Sequence, residues 1–155
     1  MMAQKKSAFS YRLGPAFSFG LSNISNNNVG LGGIAGIERR IHGIFAAEAE
    51  VSYNYFTGDK SMYASGNNKA FTLPAMLGAK AYLFPNAYVA ARAGAVYFML
   101  NEMSSSELRP ACGLAAGANF PPKVNRINVQ LGYNAFRYYG ITRGYATLAA
   151  AIIIN

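Results

Sequence analysis

The chain is 155 residues long and carries 14 Lys and Arg against six Asp and Glu, a net charge of +8, with a 52% hydrophobic composition. It is too apolar for a disordered segment, and no run approaches the ~18 uninterrupted apolar residues of a membrane helix. The positive charge is dispersed, without a recognition-helix pattern or zinc-finger spacing, so no nucleic-acid partner is expected; the length fits one domain over 1–155.

MMAQKK has two lysines but no apolar segment after them, so no secretory leader is read there. From Phe9 the pattern changes. FSYRLGPAFSFGL puts Phe9, Tyr11, Leu13, Pro15, Phe17, Phe19 and Leu21 on odd positions and Ser10, Arg12, Gly14, Ala16, Ser18 and Gly20 on even ones. Successive strand side chains point to opposite faces, so this is a strand with one bulky apolar face and one small, polar face.

Seven further segments alternate in the same way, giving predicted strands at 8–21, 29–41, 44–56, 69–84, 87–100, 109–120, 125–138 and 144–154. IHG, FPNA and PPKVN read as short turns. SNISNNN, TGDKSMYASGNNK and NEMSSSELR read as longer polar loops, and YGITRG as intermediate. With antiparallel neighbours the longer connections share one end. That is the layout of an eight-stranded antiparallel up-and-down transmembrane β-barrel, with both termini on the periplasmic side.

The charged residues decide which face is outside, because an Arg or Lys facing lipid near the midplane costs roughly 2–4 kcal/mol. Arg12, Glu38, Arg40, Glu48, Glu50, Lys80 and Arg92 all share parity with Ser, Asn or Gly and oppose Leu, Ile, Val and Tyr. They fall near the turn-side ends of their strands, so they are expected to form one lumenal layer of mutually neutralising charge. Arg39 is the main exception, close to a turn where its side chain can reach the interface. Strand eight, YATLAAAIII, admits either orientation.

On the apolar face, Phe17, Phe19, Tyr53, Tyr55, Phe71 and Tyr97 lie toward the loop end and Phe9, Tyr11, Phe45 and Phe120 toward the turn end, with Leu, Val and Ala between. Two aromatic girdles about an aliphatic band match the two interfaces of a bilayer.

Over residues 7–154 this pattern, seen in pairs such as VGLGGIAGIERRI and IFAAEAEVSYNYF, resembles the small eight-stranded outer-membrane barrels, the group of the OmpA transmembrane domain and its Bacteroidota-type relatives. The resemblance implies a Gram-negative outer-membrane location and a lumen closed by an Arg/Lys–Glu network, a role that Arg12, Lys80, Arg92, Glu48 and Glu50 would fill. It departs at IIIN, where the family ends on an aromatic residue.

Catalysis is not expected. The one histidine, His42, and the one aspartate, Asp59, belong to opposite ends of the barrel, a membrane thickness apart, whereas a triad needs hydrogen-bond reach. Glu48 and Glu50 form a carboxylate pair on one strand face, an arrangement glycosidases use across a cleft, but they sit among Arg and Lys, so ion pairing is expected. No His/Cys cluster has metal-ligand spacing, and GLGGIAG lacks the strand–turn–helix setting of a phosphate loop, so no cofactor is expected. The lone Cys112 reads as a small packing residue.

Three functions remain: a structural or adhesive outer-membrane barrel meeting membrane lipid, lipopolysaccharide, an extracellular ligand or an envelope complex through its loops; a narrow channel or barrel subunit of a secretion complex; and a soluble lipocalin-like barrel. The last requires the bulky residues to point inward.

Overall fold

A computed structural model describes residues 9–22, 29–57, 69–100, 105–120 and 126–154. Eight strands follow one another in the chain: β1 (Phe9–Ser22), β2 (Val29–His42), β3 (Phe45–Phe56), β4 (Ala70–Tyr82), β5 (Ala87–Leu100), β6 (Ser105–Phe120), β7 (Arg126–Tyr138) and β8 (Ile141–Ile154). Each pairs antiparallel with its chain neighbours, and β1 pairs with β8, closing the barrel. Closure leaves no sheet edge along the shared length of the wall. At 12 to 16 residues the strands outlast the ~9–11 tilted residues that cross a hydrocarbon core.

Side-chain direction follows the alternation. Leu31, Leu77, Leu114 and Leu131 are all more than half exposed on the outer wall, whereas Arg12, Glu48, Lys80 and Arg92 are buried inside. This is the inverse of a lipocalin-like barrel. Strand eight resolves with Tyr145, Thr147, Ala149 and Ala151 inward and Leu148, Ile152 and Ile154 outward.

The inner face is less uniformly polar than the sequence pattern predicts. Phe56, Val96, Phe98, Phe136, Tyr138 and Tyr145 pack into an apolar cluster at the loop end of the lumen. Phe98 meets Phe136 and Tyr138 at ring-centroid distances of 5.0 Å. Below it, Ser18 Oγ donates to Asn54 Oδ1 at 2.7 Å, and Asn54 Nδ2 donates to Thr72 Oγ1 at 3.2 Å.

Several boundaries differ from expectation. β6 starts at Ser105, not 109, because Ser105–Arg109 pair with β5 from Leu100 to Val96. β8 starts at Ile141, not 144, and the connection before it shrinks to Tyr139 and Gly140, with φ of 49° and 76°. Two consecutive positive φ values make a type I′ hairpin turn, whose twist suits antiparallel strands. His42 ends β2 instead of sitting in the turn, which is Gly43–Ile44 with Gly43 at φ 54°. The loop-end connections therefore run six, thirteen, four and two residues in chain order, so the excess length belongs to the first two.

Candidate functional site: a charged layer across the lumen

The layer is built on rungs that alternate large and absent side chains. Across the sheet, Glu38 on β2 is opposite Glu48 on β3, then Gly78 on β4, Arg92 on β5, Gly113 on β6 and Asn134 on β7. An eight-stranded barrel has an interior just wide enough to be filled by side chains. The glycines supply the room: a Cβ on Gly78 would lie 2.8 Å from Arg92 Cγ, and one on Gly36 would lie 2.6 Å from Arg12 Nε.

In an eight-stranded barrel, β1 and β5 stand half a turn apart, and so do β3 and β7. All four walls reach one point. Arg12 from β1 donates through Nη2 to Glu48 Oε2 and Glu50 Oε2 on β3, each at 2.7 Å. Arg92 from β5 grips the other oxygens of the same two carboxylates, Nε to Glu48 Oε1 and Nη1 to Glu50 Oε1, both at 2.6 Å. Gln130 from β7 completes the crossing: its Oε1 accepts from Arg12 Nη1 at 3.0 Å and Arg92 Nη2 at 2.8 Å, and its Nε2 donates to Glu50 Oε2 at 3.2 Å.

Lys80 from β4 extends the layer toward the turn end. Its Nζ lies 2.6 Å from Glu38 Oε2, 3.1 Å from Glu48 Oε2 and 4.0 Å from the centre of the Tyr88 ring. Tyr82 Oη donates to Glu38 Oε1 at 2.6 Å, and Asn128 Nδ2 donates to Tyr88 Oη at 2.9 Å. Three cations thus face three carboxylates in a single hydrogen-bonded assembly. Burying ions is costly unless they are paired and their remaining donors and acceptors are met. Glu48 meets this condition most fully, with Arg12, Lys80 and Arg92 all on its two oxygens.

Arg40 does not join this layer, contrary to expectation. It pairs in register with Ala46, two residues nearer the turn end than Glu38, where it is exposed and its guanidinium lies over the Tyr82 ring at 4.5 Å. Arg39 lies on the outer wall with its guanidinium 5.4 Å from the Phe9 ring. Four further members, Tyr82, Tyr88, Asn128 and Gln130, lie outside the charged set predicted for the lumen. Tyr82 shares strand parity with Lys80 and Tyr88 with Arg92, and Asn128 and Gln130 share the polar face of β7 with Asn134, which is the signal that finds them.

On the outer wall, Phe9, Tyr11, Phe19, Phe45, Tyr53 and Phe120 are exposed, and Phe17, Tyr55 and Phe71 are half-buried against neighbours. Tyr53, Phe71 and Tyr97 form a run of rings across β3, β4 and β5, with centroid separations of 4.9 and 6.3 Å. Cys112 faces outward and is exposed. His42 is exposed at the end of β2, and Asp59, Lys60 and Glu102 lie outside the described residues. Among the described residues no three His, Cys, Asp or Glu side chains cluster as metal ligands.

Neither a protein-family model nor a curated protein sequence matches the chain. Solved structures do match. Neisserial surface protein A is similar at TM-score 0.66 and 15% identity, over 96% of this chain and 97% of that one. Ail, the attachment invasion locus protein of Yersinia pestis, is similar in its crystal structure at TM-score 0.63 and 14% identity, over 94% of this chain and 97% of that one. The backbone structure of Ail in a phospholipid bilayer nanodisc is similar at TM-score 0.65 and 12% identity, over 94% and 98% of the two chains. The fold is that of the small eight-stranded outer-membrane β-barrels.

Proposed function

We propose that the chain is a single-domain, non-enzymatic barrel of a bacterial outer membrane, akin to the OmpA-like and Bacteroidota-type barrels, with both termini periplasmic. Its lumen is closed to ions, and its work is done at the surface, where the connections between strands meet lipopolysaccharide, an extracellular ligand or an envelope complex. The apolar outer wall supports insertion, and the name of one structural neighbour, an attachment invasion locus protein, supports a surface-interaction role.

The observation that carries the closed lumen is the convergence of Arg12 and Arg92, from opposite walls, on the two carboxylates of Glu48 and Glu50. An ion entering the lumen must displace side chains held by several charge-assisted hydrogen bonds each. Planar-bilayer recording tests this. The unmodified barrel is expected to be nearly silent, and Glu48→Gln or Arg92→Gln to raise leakage. Large, stable conductance from the unmodified protein would overturn the closed lumen and favour the channel reading.

A further inference from the structure

Charge that is scattered along the sequence is gathered by the fold at one end of the barrel. The lumen layer is neutral, its three carboxylates met by Arg12, Lys80 and Arg92. Beyond it, the turn end holds Arg39, Arg40 and Arg126, and the segments that join it, 1–8 and 121–125, carry Lys5, Lys6 and Lys123 and no Asp or Glu. Six of the eight net positive charges therefore belong to the turn end and its adjoining segments. At the loop end, Asp59, Glu102 and Glu107 offset three of the five cations.

The three turn-end arginines are exposed, and none lies within ion-pair distance of a carboxylate among the described residues. Arg39 stands on the outer wall, beside Phe9 of the turn-end girdle. Arg40 and Arg126 have inward parity, but each lies one inward position beyond the layer, past Glu38 on β2 and Asn128 on β7. Because β8 and β1 are all that separate β7 from β2, the three arginines share one half of the rim. Toward β3 and β4 the rim is apolar. Ile44, Leu83 and Phe84 are exposed there, and the Tyr82 N–H donates to the Ile44 carbonyl at 2.8 Å, which sets the β2–β3 turn against the end of β4.

A rim with guanidiniums on one side and bulky apolar side chains on the other suits the boundary between headgroups and hydrocarbon, where apolar burial and attraction to anionic lipid act together. A water-borne acidic partner would leave Arg39 unused, since it projects from the wall that faces lipid. We infer that the turn end is an electrostatic anchor for the anionic glycerophospholipid headgroups of the leaflet it meets, with Arg39, Arg40 and Arg126 as the phosphate contacts. Arginine stems lie along apolar surface while their heads reach the phosphates. One cation near such a surface favours anionic over neutral lipid by about fivefold, and salt screens the attraction. This inference rests on the membrane-spanning reading above and adds to it a lipid class and the end of the barrel that selects it.

The test is electron paramagnetic resonance of the full chain refolded into phosphatidylcholine vesicles with a trace of spin-labelled phosphatidylglycerol or spin-labelled phosphatidylcholine, which reads how much of each label the protein surface holds. Phosphatidylglycerol should be preferred about fivefold at low salt, and the preference should fade at about 1 M salt, where the Debye length is ~3 Å. Arg39→Gln, Arg40→Gln and Arg126→Gln together should remove most of it. Arg39→Lys, Arg40→Lys and Arg126→Lys together should keep it, and Arg137→Gln, exposed at the loop end, should leave it unchanged. Equal retention of the two labels at low salt overturns the anchor, as does a preference that survives the three Gln changes or that Arg137→Gln reduces as much as they do. Binding of soluble polyglutamate in pure phosphatidylcholine nanodiscs, lost with those three changes while the lipid preference survives, overturns it in favour of a water-borne acidic partner. Heat-dependent electrophoretic mobility reports whether each variant has folded, and the unmodified protein's salt-sensitive lipid ratio decides the matter without them. A barrel that inserts and is silent in planar bilayers, yet shows no lipid preference, loses this anchor and keeps the function proposed above.

Discussion

Glu38 and Glu48 are directly opposite on β2 and β3, an arrangement that repels when left alone. Lys80 removes the conflict by standing within ion-pair distance of both. The layer is therefore a set of mutual dependencies, and its weakest point is its most shared member. Glu48→Gln leaves Arg12, Lys80 and Arg92 facing two carboxylates in a buried place, and breaking a buried pair in this way costs about 3–5 kcal/mol. Urea unfolding from lipid vesicles should show a loss of that size. Pairing Glu48→Gln with Arg92→Gln restores the balance of charge, so the double variant should be more stable than the sum of the singles by about 0.5–3 kcal/mol. Strict additivity would mean that the two side chains do not act on each other.

Parity along the strands reads the inner-face charges directly, because one residue of slip would reverse every side chain. It does not reveal who pairs with whom, which depends on strands half a barrel apart. Nor does it reveal the aromatic tier at the loop end. Phe98 shares parity with Arg92, and Phe136 and Tyr138 with Gln130, yet their chemistry alone matches the girdles outside. Neighbouring glycines are the missing clue: a Cβ on Gly30 would lie 2.8 Å from the Phe56 ring, so a small inner residue marks where a large one folds over it.

At the scale of strands and turns, the boundary errors share a cause. SSEL, from Ser105, and ITRG carry turn-type residues, but both are strand because a partner strand continues beside them. Gly144 sits in β8 where a Cβ would come within 3.0 Å of Tyr133 Cζ, so its glycine answers to packing and not to a bend. The true turn is Tyr139–Gly140. Tyr139 holds a left-handed φ that is uncommon for a residue with a side chain, and edge-on contact with Tyr138 at 4.6 Å accompanies it. Gly140→Val should therefore destabilise the barrel by about 1–2 kcal/mol, the usual penalty for a side chain in the left-handed region. The same urea titration measures it, and an unchanged midpoint would show that the hairpin relaxes into another turn without loss.

At the scale of the whole molecule, the two faces imply two solvents. Along the outer side of β4 the order is Phe71, Leu73, Ala75, Leu77, Ala79, Ala81 and then Leu83 just beyond the strand, aromatic at the loop end and aliphatic through the middle. Leu77 is central, paired to Ala49 and Ala93, and 70% exposed. In water such a leucine is an ordinary surface residue, and replacing it with arginine changes stability by about 0.5 kcal/mol or less. In a bilayer the guanidinium must be dragged into hydrocarbon, at about 2–4 kcal/mol near the midplane and about 0–1 kcal/mol near the interface. Leu77→Arg and Leu83→Arg therefore separate the two solvents. Folding into vesicles should be weakened several times more by the first than by the second, because the long side chain at Leu83 can reach the headgroups. Equal and negligible effects at both positions would mean that the greasy wall faces water, and the closed lumen would then have no membrane to seal.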